Sequence, residues 1–216
     1  MKTQAFPKNI FVTGIGTDVG KTIAATILCR ALKADYWKPV QSGSSLGTDS
    51  HFVKQFTTEN TTIHPSVYNL KAPVSPHEAA ALENQTIEIE EITPPHTSNK
   101  LVIEGAGGIM VPLNSETVVL DLIAEWQIPV VLVSQNYLGS INHTLLSCEM
   151  LHAAGVPIAG IIFNGIANEA SENFILNYTN LPLLGKISMA KTINSDFIQA
   201  ETIQLTHHLK AHGYEF

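Results

Sequence analysis

The sequence predicts an α/β fold: a single domain over residues 1–216, with a mostly parallel sheet covered by helices on both faces. Three observations carry that expectation. Apolar runs of strand length alternate with segments of helical spacing along the chain, the pattern of βαβ units and hence of a parallel sheet. A composition of 44% hydrophobic and 14% charged residues over 216 positions is that of a globular chain long enough to bury a full core. Finally, the apolar run Ile10-Phe11-Val12 empties into a glycine-rich turn and then into Ile23-Ala24-Ala25-Thr26-Ile27-Leu28. Strand, glycine turn and helix in that order make an anion-binding concavity.

Taken in order, the first helix is expected over about residues 20–33. Asp35 to Val40 reads as a second strand that Pro39 ends or confines to an edge. The polar loop Gln41–Asp49 can hug a ligand, and Asp49 is expected to cap a short helix over about 50–57. Residues 58–75 hold Pro65 and Pro73 without a strong period and read mostly as loop. Pro76–Leu82 reads as a helix with proline in its first turn. From there to Asn99, isoleucine and glutamate alternate before Pro94-Pro95, a pattern that assigns no element. Leu101-Val102-Ile103 is the third strong strand, running into Glu104-Gly105-Ala106-Gly107-Gly108. Helices follow at 118–127, 141–154 and 169–178, interleaved with strands Pro129–Val133, Ile158–Phe163 and Leu183–Ile187. A helix from Asn194 to about Lys210 completes the set. Ligands of open parallel sheets bind beyond the carboxyl ends of the strands. The polar loops here all follow strands, so they converge on one edge.

The turn itself, Gly14-Ile15-Gly16-Thr17-Asp18-Val19-Gly20-Lys21-Thr22, reads as a phosphate loop, which places the fold with the P-loop NTPases. Lys21 reaches β- and γ-phosphates and the Thr22 hydroxyl suits Mg²⁺. The usual pattern has glycine where Ile15 stands, with Gly14 and Gly16 to either side. A triphosphate brings a charge of about −3 to −4, which calls for a divalent cation with oxygen ligands. Asp49 and Glu104 are the carboxylates best placed to join Thr22 around it. Each has a blander reading, Asp49 as a helix cap and Glu104 as a structural acid. Lys38 ends a strand on the phosphate-loop side, where a lysine stabilises developing charge; a surface lysine is the alternative. Thr17 and Ser42 add hydroxyl donors to the same cavity.

Composition narrows the partners. A formal charge of −7 leaves no basic patch for nucleic acid. No apolar run approaches the length of a membrane span, and the N-terminus lacks an apolar signal core. Cys29 and Cys148, both in expected helices, read as buried thiols in a reducing cytoplasm. The histidines are scattered without ligand spacing, and the adjacent His207 and His208 read as surface residues.

The chain resembles the dethiobiotin synthetase family over nearly its whole length. The resemblance rests on Gly14–Thr22, Lys38-Pro39-Val40-Gln41-Ser42-Gly43, Asp49, Glu104–Gly108 and Leu138-Gly139-Ser140-Ile141-Asn142-His143 in this order. That family shares the five-residue gap between Gly14 and Gly20. The resemblance implies an ATP- and Mg²⁺-dependent ligase that carboxylates 7,8-diaminononanoate with CO₂ and closes a cyclic urea. It implies that Thr22, Asp49 and Glu104 hold Mg²⁺, that Asp18, Val19, Gly20, Lys21 and Thr22 surround the phosphates, and that Lys38 with Lys21 is catalytic. Gly105, Ala106 and Gly107 join the nucleotide site beside Glu104. Asn164, with Gly165, takes the place of the family's adenine-binding asparagine, against the alternative of a turn residue before glycine. Thr17, Ser42 and Gly107 meet the diamine or carbamate. The family is a homodimer with the diamine across the interface, which implies that Asn142 reaches the substrate carboxylate from the partner; capping the following helix is its other reading. Family members often carry proline after the last strand, where this chain has Ser188-Met189, a departure that bears on nucleotide selectivity.

Two rivals share the phosphate loop. Partitioning-type switch ATPases carry a lysine where Gly16 stands, with basic or amphipathic binding elements that this chain lacks. Corrinoid amidotransferase-like ligases need a glutaminase domain, for which 216 residues leave no room.

Overall fold

A computed structural model describes residues 3–216. In chain order its strands are β1 (Gln4–Ala5), β2 (Asn9–Gly14), β3 (Asp35–Trp37), β4 (Val40–Gln41), β5 (Ile63–His64), β6 (Tyr68–Asn69), β7 (Leu101–Gly108), β8 (Val130–Gln135), β9 (Ile158–Gly165), β10 (Leu183–Ser188) and β11 (Tyr214–Glu215). The helices are α1 (Lys21–Leu32), α2 (Asp49–Phe56), α3 (Pro76–Leu82), α4 (Val119–Trp126), α5 (Ser140–Ala153), α6 (Glu169–Thr179) and α7 (Ser195–Ala211). The central sheet has seven strands in the order β10-β9-β8-β2-β7-β3-β5, and each of its pairings is parallel.

Period-two alternation divides the central strands between two cores. Ile10 and Val12 of β2 and Val102 of β7 face α1, α2 and α7, packing on Ile27, Leu28, Val53 and Ile198. Phe11 and Ile103 face the other side with Leu120, Ile123 and Leu151, and α6 packs through Ile175 on Leu132, Ile161 and Phe163. Each fully buried aliphatic or aromatic side chain contributes about 1.5–3 kcal/mol before entropy is charged against it. Burial on both faces is why these strands read as unbroken apolar runs. Among the described residues no helix is long and apolar enough to cross a membrane, and both cysteines are buried and unpaired.

Several local expectations need correcting. The expected second strand is split: β3 stops at Trp37, Lys38 and Pro39 turn away, and β4 pairs with β6 in a separate two-stranded sheet. Pro39 has no N–H, but its carbonyl accepts from the Val67 and Tyr68 amides at 2.9 and 3.1 Å. The stretch read as loop therefore supplies β5, the edge of the main sheet, and β6. The cap of α2 is Thr48, whose hydroxyl accepts from the His51 amide at 3.1 Å, so Asp49 lies in the first turn and its carboxylate does not cap the helix. Gly139, at φ 102°, occupies the N-cap of α5, so Asn142 lies inside the helix and caps nothing. β7 and β9 run further than their apolar residues, carrying Glu104 and Asn164 within the strands. The Ile/Glu alternation forms no strand; Ile87 and Ile92 anchor it in the core around a short 3₁₀ turn. His207 is exposed as expected, whereas His208 is half-buried, its Nε2 donating to the Leu183 carbonyl at 2.9 Å.

Candidate active site

The phosphate loop joins β2, at the centre of the sheet, to α1. Two glycines set its shape. A Cβ on Gly14 would stand 2.4 Å from the Val19 side chain, and Gly20 adopts φ 92° with Asn164 Nδ2 2.1 Å from where its Cβ would be. Asp18 also takes a left-handed conformation, φ 59°, which aspartate tolerates better than most residues. Ile15 turns away from the loop interior and packs on the apolar cores, its amide donating to Val133 O at 3.1 Å. That packing explains why a bulky residue is accepted there. The Lys21 ammonium bridges the loop to Gly16 O at 2.8 Å.

Beside the loop, three segments distant in sequence bring charge together. The Lys38 ammonium donates to Asp49 Oδ2 at 2.5 Å and to Glu104 Oε1 at 3.2 Å. The Thr22 hydroxyl stands 2.8 Å from both Asp49 Oδ1 and Glu104 Oε1. Gln41 orients Asp49 by accepting from its amide at 3.0 Å. On the far side of Glu104, the Tyr36 hydroxyl donates to Oε2 at 2.8 Å. Glu104 is 0% exposed and Lys38 5%, which excludes the reading of Lys38 as a surface lysine.

Burial sets the protonation of these groups and the partners correct it. Burial alone would pull Lys38 down, but Glu104 and then Asp49 hold it above the ordinary lysine value. Burial would raise Asp49, yet Lys38 by charge and hydrogen bond keeps it below the usual carboxylate range. Lys21 is lowered, chiefly by burial, with Glu104 opposing and the like charge of Lys38 adding to the shift. Burial first and Glu104 second push the Tyr36 phenol well up, so it remains a donor.

The donor set fits a small hard cation. A hydroxyl has one proton, so Thr22 cannot satisfy two carboxylate oxygens at 2.8 Å with full hydrogen bonds. Three oxygens converging on one point, two of them anionic, match Mg²⁺ chemistry.

These groups line one cavity of about 830 Å³ together with Thr17, Asp18, Gly20, Ser42, Ala106 and Gly107. Ser42 Oγ is buried without a partner. Leu46, Pro73, Val74 and Val111 form an apolar wall, which nothing in the sequence reading anticipated. Other expected residues lie elsewhere. Val19 is buried in the core and offers its carbonyl to Asn164 Nδ2 at 2.9 Å, which puts Asn164 behind the loop. Gly165 follows it in β9. Gly105 is packed so closely on the Phe11 ring that a Cβ would stand 2.7 Å from it, and it does not line the cavity. Asn142 borders a second cavity of about 820 Å³ with Tyr137, Leu138 and Asn168. Tyr36 and Gln41 were missed. The signal for Tyr36 was available: in the strand expected over Asp35–Val40 it stands two residues before Lys38, a spacing that puts the two on one face.

A parallel sheet with a phosphate loop at its centre, two lysines and two carboxylates defines a nucleotide-binding α/β protein. Residues 8–196 match a family model described as an AAA domain. The chain is 46% identical over 200 residues to an ATP-dependent dethiobiotin synthetase of Cytophaga hutchinsonii, covering 92% of this chain and 97% of that one. It is also 46% identical over 182 residues to the same enzyme of Christiangramia forsetii (84% and 87% covered) and 44% identical over 180 to that of Paramagnetospirillum magneticum (83% and 87%). Among solved structures it shares its fold with a plasmid partition protein of Borrelia burgdorferi bound to AMPPNP. There the TM-score is 0.62, at 15% identity, with 96% of this chain and 100% of the other covered. The cell division ATPase MinD of Pyrococcus furiosus gives a TM-score of 0.59 at 16% identity, with 95% and 99% covered. The chain belongs to the ATP-dependent dethiobiotin synthetase family, and with it to the ligases.

Proposed function

We propose that this chain, working as one domain, joins CO₂ to 7,8-diaminononanoate and closes the ureido ring at the expense of ATP, releasing dethiobiotin, ADP and phosphate. The observation that carries this reading is the convergence of the buried Lys38 and Glu104 with the half-buried Asp49 and Thr22 beside the phosphate loop. One amine of the diamine adds to CO₂ and loses a proton, giving a carbamate. A carbamate oxygen attacks the γ-phosphorus and the bond to ADP breaks. The second amine then attacks the carbamoyl carbon and expels phosphate. Lys21 and Lys38 neutralise two anions that would otherwise repel, and the walls hold them in line. Ser42 and Thr17 offer hydroxyls to the carbamate end, and the apolar wall receives the aliphatic chain. Thr22, Asp49 and Glu104 hold Mg²⁺, which when bound offsets charge on the phosphates. Asn164 and Gly165 contact the base from behind the loop.

We read the working form as a homodimer in which Asn142 of the partner subunit reaches the substrate's carboxylate end. Supporting this, Asn142, Leu146 and Met150 are exposed along one side of α5, next to the exposed Leu138. The unpaired buried thiols suit a reducing cytoplasm. Neither nucleic acid nor a membrane is called for as a partner. The partition-type alternative shares the fold, but Gly16 supplies no side chain where that class places its lysine.

Phosphate release from Mg-ATP, measured with and without diamine and bicarbonate while the organic product is weighed by mass spectrometry, tests the reading. Release that depends on both and a product of cyclic-urea mass are expected. Release indifferent to the diamine would sink it in favour of a switch ATPase.

A further inference from the structure

We propose that Tyr36 is a positioning residue that makes the site select Mg²⁺ over Ca²⁺, by holding Glu104 to a single oxygen on the cavity side. The inference rests on the reading of Thr22, Asp49 and Glu104 as the metal site, and deepens it.

The register of the sheet places the phenol. Tyr36 of β3 stands opposite Val102 of β7, so its side chain lies on the same face as Val102 and Glu104, two residues further along β7. Both Tyr36 and Glu104 are 0% exposed, so neither can swing into solvent for another partner. The Tyr36 hydroxyl donates to Oε2 at 2.8 Å, whereas Oε1 alone meets Thr22 and Lys38. The two carboxylate oxygens are thereby divided: one is held from behind by the protein and one faces the cavity.

That division matters because the two common hard cations ask for different carboxylates. Mg²⁺ takes six oxygens in near-octahedral geometry, keeps several waters and uses carboxylates through one oxygen. Ca²⁺ takes six to eight and readily accepts a carboxylate through both. With Oε2 engaged by Tyr36, Glu104 offers the arrangement that suits Mg²⁺ and withholds the one that suits Ca²⁺. Partners behind a ligand also fix its orientation, and removing one weakens metal binding about 10–100-fold.

The test is Tyr36→Phe, which removes one oxygen and keeps the ring in the core. Mg²⁺ and Ca²⁺ affinities are measured separately by calorimetry on the full chain with a non-hydrolysable ATP analogue bound, and the melting temperature is followed in parallel. Mg²⁺ affinity should fall about tenfold while Ca²⁺ affinity moves far less, so that the ratio between them collapses. An unchanged ratio, whether both affinities weaken together or neither does, would overturn the proposal, and a lowered melting temperature with intact metal selectivity would reduce Tyr36 to a packing residue. Glu104→Gln is the control: if it binds Mg²⁺ as tightly as the parent chain, the metal-site reading has failed and the proposal falls with it. If it weakens Mg²⁺ and Tyr36→Phe does not, only the proposal fails.

Discussion

The two cavities along the carboxyl edge of the sheet have nearly the same volume, about 830 and 820 Å³, and opposite characters. The one between the phosphate loop and β7 is lined by five charged side chains, Asp18, Lys21, Lys38, Asp49 and Glu104, and of these Lys21, Lys38 and Glu104 are buried. The one between α5 and α6 has no charged residue in its lining and opens among exposed Tyr137, Leu138 and Ile166. Desolvated and paired charges preorganise a site for charge that develops during reaction. Exposed apolar groups around a polar cleft mark a surface that is finished by contact with something else. The homodimer proposed above would use both kinds, one subunit supplying each.

The strongest way to break that contrast is to remove its central cation. Lys38→Met should lower kcat by about 10²–10³-fold, as expected for loss of a group aimed at developing charge; a rate within threefold of the parent in steady-state assays would show the buried cluster to be structural. Leaving Asp49 and Glu104 unpaired should also destabilise the fold by about 3–5 kcal/mol, readable in denaturant titration.

A mixed dimer sharpens the comparison. Asn142→Ala should weaken the diamine about tenfold in KM while sparing ATP, the size expected for one lost hydrogen bond to a charged group. Co-refolding of inactive Lys38→Met with Asn142→Ala chains then places one intact pair of half-sites in each mixed dimer. At subsaturating diamine, specific activity should recover to about one quarter of the parent's, since half the dimers are mixed and each has one good site. Activity that is only the sum of the separate variants would mean that the second cavity serves no neighbour.

Smaller effects test what supports the charged side. Thr48→Ala removes the cap of α2 and should cost about 1 kcal/mol, a fall of about 2–4 °C in Tm for a chain of this size. The smallest effect is in pH. The Asp49 carboxyl is held below its ordinary value, so its contribution is present above the unfolded value of about 3.9 and is lost as pH falls through the lower folded value. Lys38 is held above its ordinary value, so its contribution is present below about 10.4 and is lost as pH rises through the higher folded value. Between those limits the pair should add no slope to stability, and Tm profiles of the parent and of Asp49→Asn should run parallel from about pH 5 to 9.

How much of this was legible in the sequence differs from residue to residue. The phosphate loop was, because its shape depends on neighbours: Gly14 clears Val19, and Gly20 takes a positive φ within the same turn. Ile15 departs from the usual loop pattern but fits the family's gap between Gly14 and Gly20, and its side chain leaves the loop for the core. Asp49 was ambiguous, since a carboxylate at a helix start is a normal cap; Thr48, one residue earlier, takes that job and removes the capping alternative. Asn142 was read with a capping alternative for the same reason, and Gly139 removes it. The apolar wall of Leu46, Pro73 and Val74 lies in segments without periodicity, where pattern reading has nothing to hold.

By itself the sequence determined the parallel sheet, the phosphate loop and the lysines and carboxylates that follow or end its strands. Those features follow from hydrophobic period, glycine geometry and the chemistry of triphosphates, each of which acts over a few residues. Only the tertiary structure decided that Lys38 sits between Asp49 and Glu104, and that Tyr36 holds the oxygen of Glu104 that the cavity does not use. Contacts among β3, α2 and β7 join positions 36 to 104, and the register that makes them comes from packing two cores on opposite faces of one sheet.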